Sequence, residues 1–235
     1  MKSFALALLA SFAVVGTSHA QQSPPSPAIP QAGETVFVQA GRLLADPESG
    51  IVLRDKTLVI VSGRVTEIRD GFVGEGNVVD LRQHFVLPGL IDSHVHLTSQ
   101  QNPNARLMGV TESDADRAIL GAQYARRTLH AGLTTVAALG GSNNAVFALR
   151  DGIAGGQIPG PRVIASGSSI SIHGGHGDVN GYSEDIMHLL SGESICSGPE
   201  DCMRAVRTQV RAGADVIKIT ATGGVLSNTA AGLVQ

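Results

Sequence analysis

Short runs of alternating apolar and polar residues fill the chain from Thr35 to Val86, after which the rhythm changes. Thr57–Val61 and Arg64–Ile68 flank the two-residue turn Ser62-Gly63, the spacing of a β-hairpin. Thr35–Gln39, Ile51–Leu53 and Val78–Leu81 add further extended segments. Beyond Pro88, helical and extended patterns alternate. Ser113, with Asp116 three residues on, opens a helix whose apolar stripe is Ala118, Ile119, Ala122, Ala125 and Leu129, and Gly132 closes it. Thr134–Leu139 follows as a strand, then Val146–Ala154 as a helix and Pro161–Ala165 as a strand. Pro199 at a first helical position, Glu200 and Asp201 in the first turn and Gly213 at the end bound another helix, followed by the strand Ala214–Thr220. With the apolar run Phe85–Ile91, four strands alternate with helices, the signature of a parallel α/β architecture.

The amino-terminal residues stand outside this pattern. Lys2, the apolar stretch Phe4–Val15 and the small-residue site Ser18-His19-Ala20 read as a signal peptide over residues 1–20, which implies a periplasmic or secreted protein. No later stretch reaches the ~20 apolar residues of a transmembrane anchor. Residues 21–33 carry Pro24, Pro25, Pro27 and Pro30 and read as a semi-extended linker. Two structural parts follow, over residues 34–86 and 87–235. In an oxidising compartment, Cys196 and Cys202 read as a local disulfide, the alternative being two unpaired thiols.

Composition narrows the partners. Lys and Arg number 17 against 20 Asp and Glu, a formal charge of −3, so there is no basic footprint for nucleic acid. Six Phe, two Tyr and no Trp offer no stacking platform for single strands. Glycine, at 29 residues, is roughly 12% of the chain against a usual ~7%. That excess predicts tight backbone turns around a small-molecule site.

Candidate chemistry starts at Asp92-Ser93-His94-Val95-His96. Side chains two apart on an extended segment point the same way, so both imidazoles can reach one metal ion. A neutral structural pair is the plainer alternative. Lys218 lies inside the apolar segment Val216–Ile219 with no acidic neighbour in sequence. Burying its ammonium is costly, which points to a neutral or chemically modified lysine; a strand lysine whose head reaches solvent is the plainer alternative and, on this segment alone, the favoured one. His173 and His176, in Ile172-His-Gly-Gly-His-Gly-Asp178, are candidates for contacting substrate or its developing oxyanion; a glycine-rich loop needing positive φ is the competing reading.

Taken together, Leu87–His96, Gly132-Leu-Thr-Thr-Val136 with Gly140-Gly141, Gly174–Asp178 and Ile217–Gly224 resemble the metal-dependent amidohydrolase superfamily, in particular its imidazolonepropionase-like and Xaa-Pro dipeptidase (prolidase)-like members. The resemblance implies a β-sandwich, of which residues 34–86 are the amino-terminal part, beside a TIM-like (β/α)8 barrel. It implies His94, His96 and an N6-carboxylated Lys218 as ligands to divalent metal, two zinc ions by default, and hydrolysis of an amide or peptide C–N bond in a small molecule or dipeptide by a metal-activated water. Where relatives commonly carry Arg-Asp after the Thr-Thr-Val strand, this chain has Ala137-Ala138.

A (β/α)8 barrel takes ~250 residues, more than follow Leu87, so the chain reads as a truncated first half. The resemblance places further histidine ligands and the general-base Asp beyond residue 235, and on this reading the 235 residues alone bind zinc weakly and hydrolyse nothing at a useful rate. The alternative is a non-catalytic remnant or interaction fragment without a complete metal site.

Overall fold

The computed structural model describes residues 33–224; the stretches read above as signal peptide and, but for Gly33, linker lie outside them, as do residues 225–235. The first part is a four-stranded sheet built from β1 (Thr35–Leu44), β2 (Val52–Val61), β3 (Arg64–Asp70) and β4 (Val78–Val86), in the order β3-β2-β1-β4. The Ser62-Gly63 turn closes the β2–β3 hairpin with φ of 50° and 76°, the two left-handed positions that such a turn requires. Of Ile51–Leu53, expected as a separate segment, Val52 and Leu53 open β2 and Ile51 lies just before it. β2 pairs antiparallel with β1 from Thr35↔Val61 to Leu44↔Val52.

β4 lies parallel to β1, with a register shift between Ala40 and Arg42. Gly41 sits at that shift, pressed on the Arg82 backbone carbonyl where no Cβ would fit. Ala40, Leu43, Thr57 and Val59 are buried. The Thr57 hydroxyl donates to the Gly71 carbonyl at 2.8 Å and accepts from the Val73 amide at 3.1 Å, so its burial leaves nothing unpaired.

The apolar run Phe85–Ile91 is not one strand. β4 ends at Val86 and β5 (Leu90–Val95) begins after Pro88-Gly89. Pro88 has no amide hydrogen for a ladder, and Gly89 packs against the Thr134 side chain with no room for a Cβ. The change carries β5 on through His94 and leaves His96 just past its end.

β5, β6 (Leu133–Ala138) and β7 (Arg162–Ala165) form a parallel sheet in sequence order. The crossovers contain α1 (Ala105–Thr111) with α2 (Asp114–His130), then α3 (Asn143–Ala154). Ser113 and Asp116 close a reciprocal capping box on α2. One member of the expected stripe is misplaced, because Ile119 is 72% exposed. The buried positions are Gly121 and Ala125, and Gly121 lets Leu149 of α3 approach so closely that a methyl there would lie 2.9 Å from Leu149 Cδ2. Val136, Ala138, Val146, Leu149, Val163 and Ala165 form the core between sheet and helices.

The expected strand Ala214–Thr220 is replaced by a single parallel bridge, Ile170↔Ile219. The Asp215 amide bonds the Ala165 carbonyl and its carboxylate takes the Ala165 amide, while Ile170 bonds Lys218 and Thr220 further on. Between these points Ser166–Ser169 turn away to bond the Leu139–Gly141 rim and Asn143, so no ladder forms. β8 (Ser171–Ile172) pairs instead with β9 (Ile195–Cys196), in a sheet of two. Two short elements the pattern did not show, α1 and α4 (Glu184–Leu190), accompany them. α5 (Pro199–Ala212) starts with Pro199 in its first turn and stops at Gly213, φ 100°. Cys196 is disulfide-bonded to Cys202 on α5, and both pack with Ile170 and Ala205. Among the described residues no helix is long and apolar enough to cross a membrane.

Leu149→Ala, which empties the contact on Gly121, is expected to cost about 3 kcal/mol in urea unfolding, within the usual range for a buried leucine. Ile119→Ala should stay within about 0.5 kcal/mol. Equal losses would return Ile119 to the buried stripe.

Candidate active site

Parallel pairing aligns the strand ends. Val95 pairs with Ala138, and Ala138 with Ala165, so the residues that follow each strand emerge on one rim. From that rim rise His96 after β5, Leu139-Gly140-Gly141 after β6 and Ser168-Ser169 after β7. Together with His94, His176 and Lys218 they line a cleft of about 560 Å³. This is the carboxyl end of a parallel sheet, the position at which α/β proteins form their sites.

The two imidazoles of β5 stand with ring centroids 5.4 Å apart, tilted by 54°. Asp92 accepts the His94 backbone amide at 2.9 Å and so fixes the strand end rather than the ring. Gly140 backs the second ring: a methyl group there would lie 2.8 Å from His96 Cε1 and 2.9 Å from Nδ1. His96 keeps an open edge, yet the protein packed around it lowers its pKa from the usual 6.5, and the positive neighbours His94, Lys218 and His176 push the same way. A neutral imidazole is the form that coordinates metal.

Lys218 reaches the cleft half-buried, and no carboxylate among the described residues forms an ion pair with it. The two loop histidines part company. His176 lines the cleft and has a buried Nδ1 without a hydrogen-bond partner, while His173 is not among the lining residues, has a side chain 75% exposed and lies 3.7 Å from Asp178. Asp178 also lines the cleft, but its carboxylate is committed to the Gly174 and Val179 amides and the Ser191 hydroxyl. At the end of β6, Ala138 is fully buried, so the Ala137-Ala138 departure leaves an apolar strand end in place of a charge pair.

The loop bearing His176 is tied to α1. Arg106 of α1 donates to the Gly181 carbonyl at 2.8 Å, and the Tyr182 hydroxyl donates to the Arg106 carbonyl at 2.8 Å. Arg117 on α2, a lining residue that the sequence pattern did not single out, joins α1 through the Met108 carbonyl. In sequence it is one more polar residue of an amphipathic helix, and only the fold turns it inward.

The described residues fit part of a divalent-metal site. Two imidazoles meet a lysine lacking an acidic partner, and an unpartnered imidazole nitrogen lies in the same cleft. No group of three His, Cys, Asp or Glu among the described residues could complete the shell by itself.

Residues 85–232 match the amidohydrolase family. The chain belongs to that family. It is 31% identical over 218 aligned residues to ochratoxinase from Aspergillus niger, covering 83% of this chain and 43% of the relative. Among solved structures, a Xaa-Pro dipeptidase with bound methionine superimposes at a TM-score of 0.72 and 36% identity, over 83% of this chain and 48% of that one. A prolidase in complex with N-methylphosphonate-L-proline gives 0.67 and 31%, with the same coverage. The amidohydrolase chain described here thus spans about half the length of the relatives it matches. The expected kinship with prolidase-like amidohydrolases holds.

For His96 the folded pKa lies below the unfolded one, so between the two values the unfolded state binds more protons. Its contribution to stability therefore rises with pH up to about 6.5 and is flat above. Nuclear magnetic resonance titration should show the His96 ring changing charge at lower pH than a free imidazole. A midpoint at or above 6.5 would contradict the crowding described.

Proposed function

We propose that this chain supplies the first half of a (β/α)8 amidohydrolase barrel, with part of a β-sandwich before it, and that the whole hydrolyses amide or peptide C–N bonds in small molecules such as Xaa-Pro dipeptides. The observation that carries the reading is the convergence of His94, His96, His176 and Lys218 in one cleft at the carboxyl ends of parallel strands. The amide-hydrolysing relatives named above support the same chemistry.

In this reading His94 and His96 hold divalent metal, zinc by the character of the donors, through neutral rings. Lys218 would contribute as a carbamate: its ammonium loses one proton to give the free amine, the amine nitrogen bonds the carbon of carbon dioxide and loses a second, and a cation becomes an anion with oxygen donors. Bound metal supplies Lewis acidity, bringing the pKa of water toward neutrality and polarising the carbonyl. His176 is the donor assigned to the substrate carbonyl. His173, outside the cleft lining, has no part in it.

The test joins this chain to the carboxyl-terminal half of a homologous amidohydrolase. Metal-dependent hydrolysis of Xaa-Pro dipeptides is the expected result. His96→Ala should then lower kcat/KM on the order of a thousandfold, the several kcal/mol that a metal contributes. A completed protein that binds no metal and hydrolyses nothing would support the fragment reading instead, and activity indifferent to His96→Ala would remove the site.

Export to the periplasm or beyond belongs to the same proposal, and the Cys196–Cys202 bridge supports it. Intact mass of the exported protein should place its first residue at Gln21 with both cysteines resistant to alkylation before reduction. A chain still starting at Met1 would end the argument.

A further inference from the structure

The cleft holds a cation that the chemistry above leaves unused. Arg117 lies half-buried near the start of α2 and lines the cleft together with His94, His96, His176 and Lys218. Its guanidinium makes a single hydrogen bond among the described residues, 3.5 Å from Nη2 to the Met108 carbonyl. No carboxylate among them lies within ion-pair distance of it. Glu112 shares a neighbouring hollow with Arg117 but does not pair with it. Asp178 is the acidic residue in the cleft lining, and its side chain is 6% exposed and already bonded to two amides and a hydroxyl. A guanidinium has five donors in a fork that fits a carboxylate, and leaving most of them unmet in a partly desolvated place is unfavourable until an anion arrives.

We infer that Arg117 is the residue that anchors the free carboxylate of the substrate, the carboxyl terminus of a dipeptide, and so favours such amides over uncharged ones. The inference rests on reading the cleft as an amide-hydrolysing site, which it deepens by naming a residue that determines specificity there. Under that reading His94, His96 and Lys218 are occupied with metal, and His176 with the carbonyl. Arg117 remains as the fixed positive group with its fork free. A lysine there would offer a point charge without the paired geometry.

Anchoring is measurable without turnover. Calorimetric titration of the full 235-residue chain with N-acetyl-L-proline and with N-acetyl-L-prolinamide compares two ligands that differ at the carboxylate. The acid is expected to bind at least tenfold more tightly. Arg117→Met should abolish the difference, Arg117→Lys should keep its sign with a smaller ratio, and Lys218→Met should leave it in place. Equal binding of the two ligands, no binding of either, or a preference that survives Arg117→Met or disappears with Lys218→Met would overturn the assignment. The unsubstituted chain decides the first point even if Arg117→Met does not fold. In the completed enzyme, Arg117→Met should raise KM for a Xaa-Pro dipeptide more than tenfold while kcat stays within a few-fold. A carboxylate preference in a completed protein without hydrolysis would leave the anchor standing and remove the hydrolase reading.

Discussion

Parallel hydrogen bonding between β5, β6 and β7 is the constraint on which the rest of the molecule depends. Because Val95, Ala138 and Ala165 lie at one level, three consecutive strands end together and deliver their next residues to one rim. An antiparallel arrangement would have scattered His96, Gly140 and Ser168 to opposite ends of the sheet. The helices make the same alignment rigid. Leu149 of α3 seats against Gly121 of α2, and the core from Val136 to Ala165 fixes the sheet beneath the cleft. The electrostatics follow from this geometry, since three imidazoles and an ammonium from three segments of the chain are brought close enough for His96 to feel the others.

Much of this was legible in the sequence wherever a local signal settles a local structure. The Ser62-Gly63 turn, the Ser113–Asp116 capping box and the Pro199-to-Gly213 helix are each decided by residues within a few positions of one another. The four motifs that resembled amidohydrolases identified the family, and three of the four residues that meet in the cleft carried the metal expectation. What stayed hidden depended on contacts across the fold. Phe85–Ile91 is apolar throughout, and only the seating of Gly89 on Thr134 divides it. Ile119 has the character of a core residue, but the side of α2 that faces the sheet is chosen by the small Gly121. Ala214–Thr220 has strand composition, yet the serines before Ile170 bond the rim instead of extending a ladder. His173 and His176 are indistinguishable by spacing, and it is the loop's fold around Asp178 that separates them.

The way the cleft's two sides are anchored has a consequence for local stability. Its floor is held by buried backbone ladders and a packed apolar core, whereas the loop bearing His176 is held largely through side chains: Asp178 accepts the Gly174 and Val179 amides, the Ser171 hydroxyl accepts the Gly177 amide, and the Arg106–Gly181 and Tyr182–Arg106 hydrogen bonds tie it to α1. Bonds of that kind contribute only about 1 kcal/mol each, while breaking the core costs several. The two layers of the cleft therefore sit at different levels of local stability. His176 is the cleft's one imidazole whose place depends on bonds of this kind rather than on a strand.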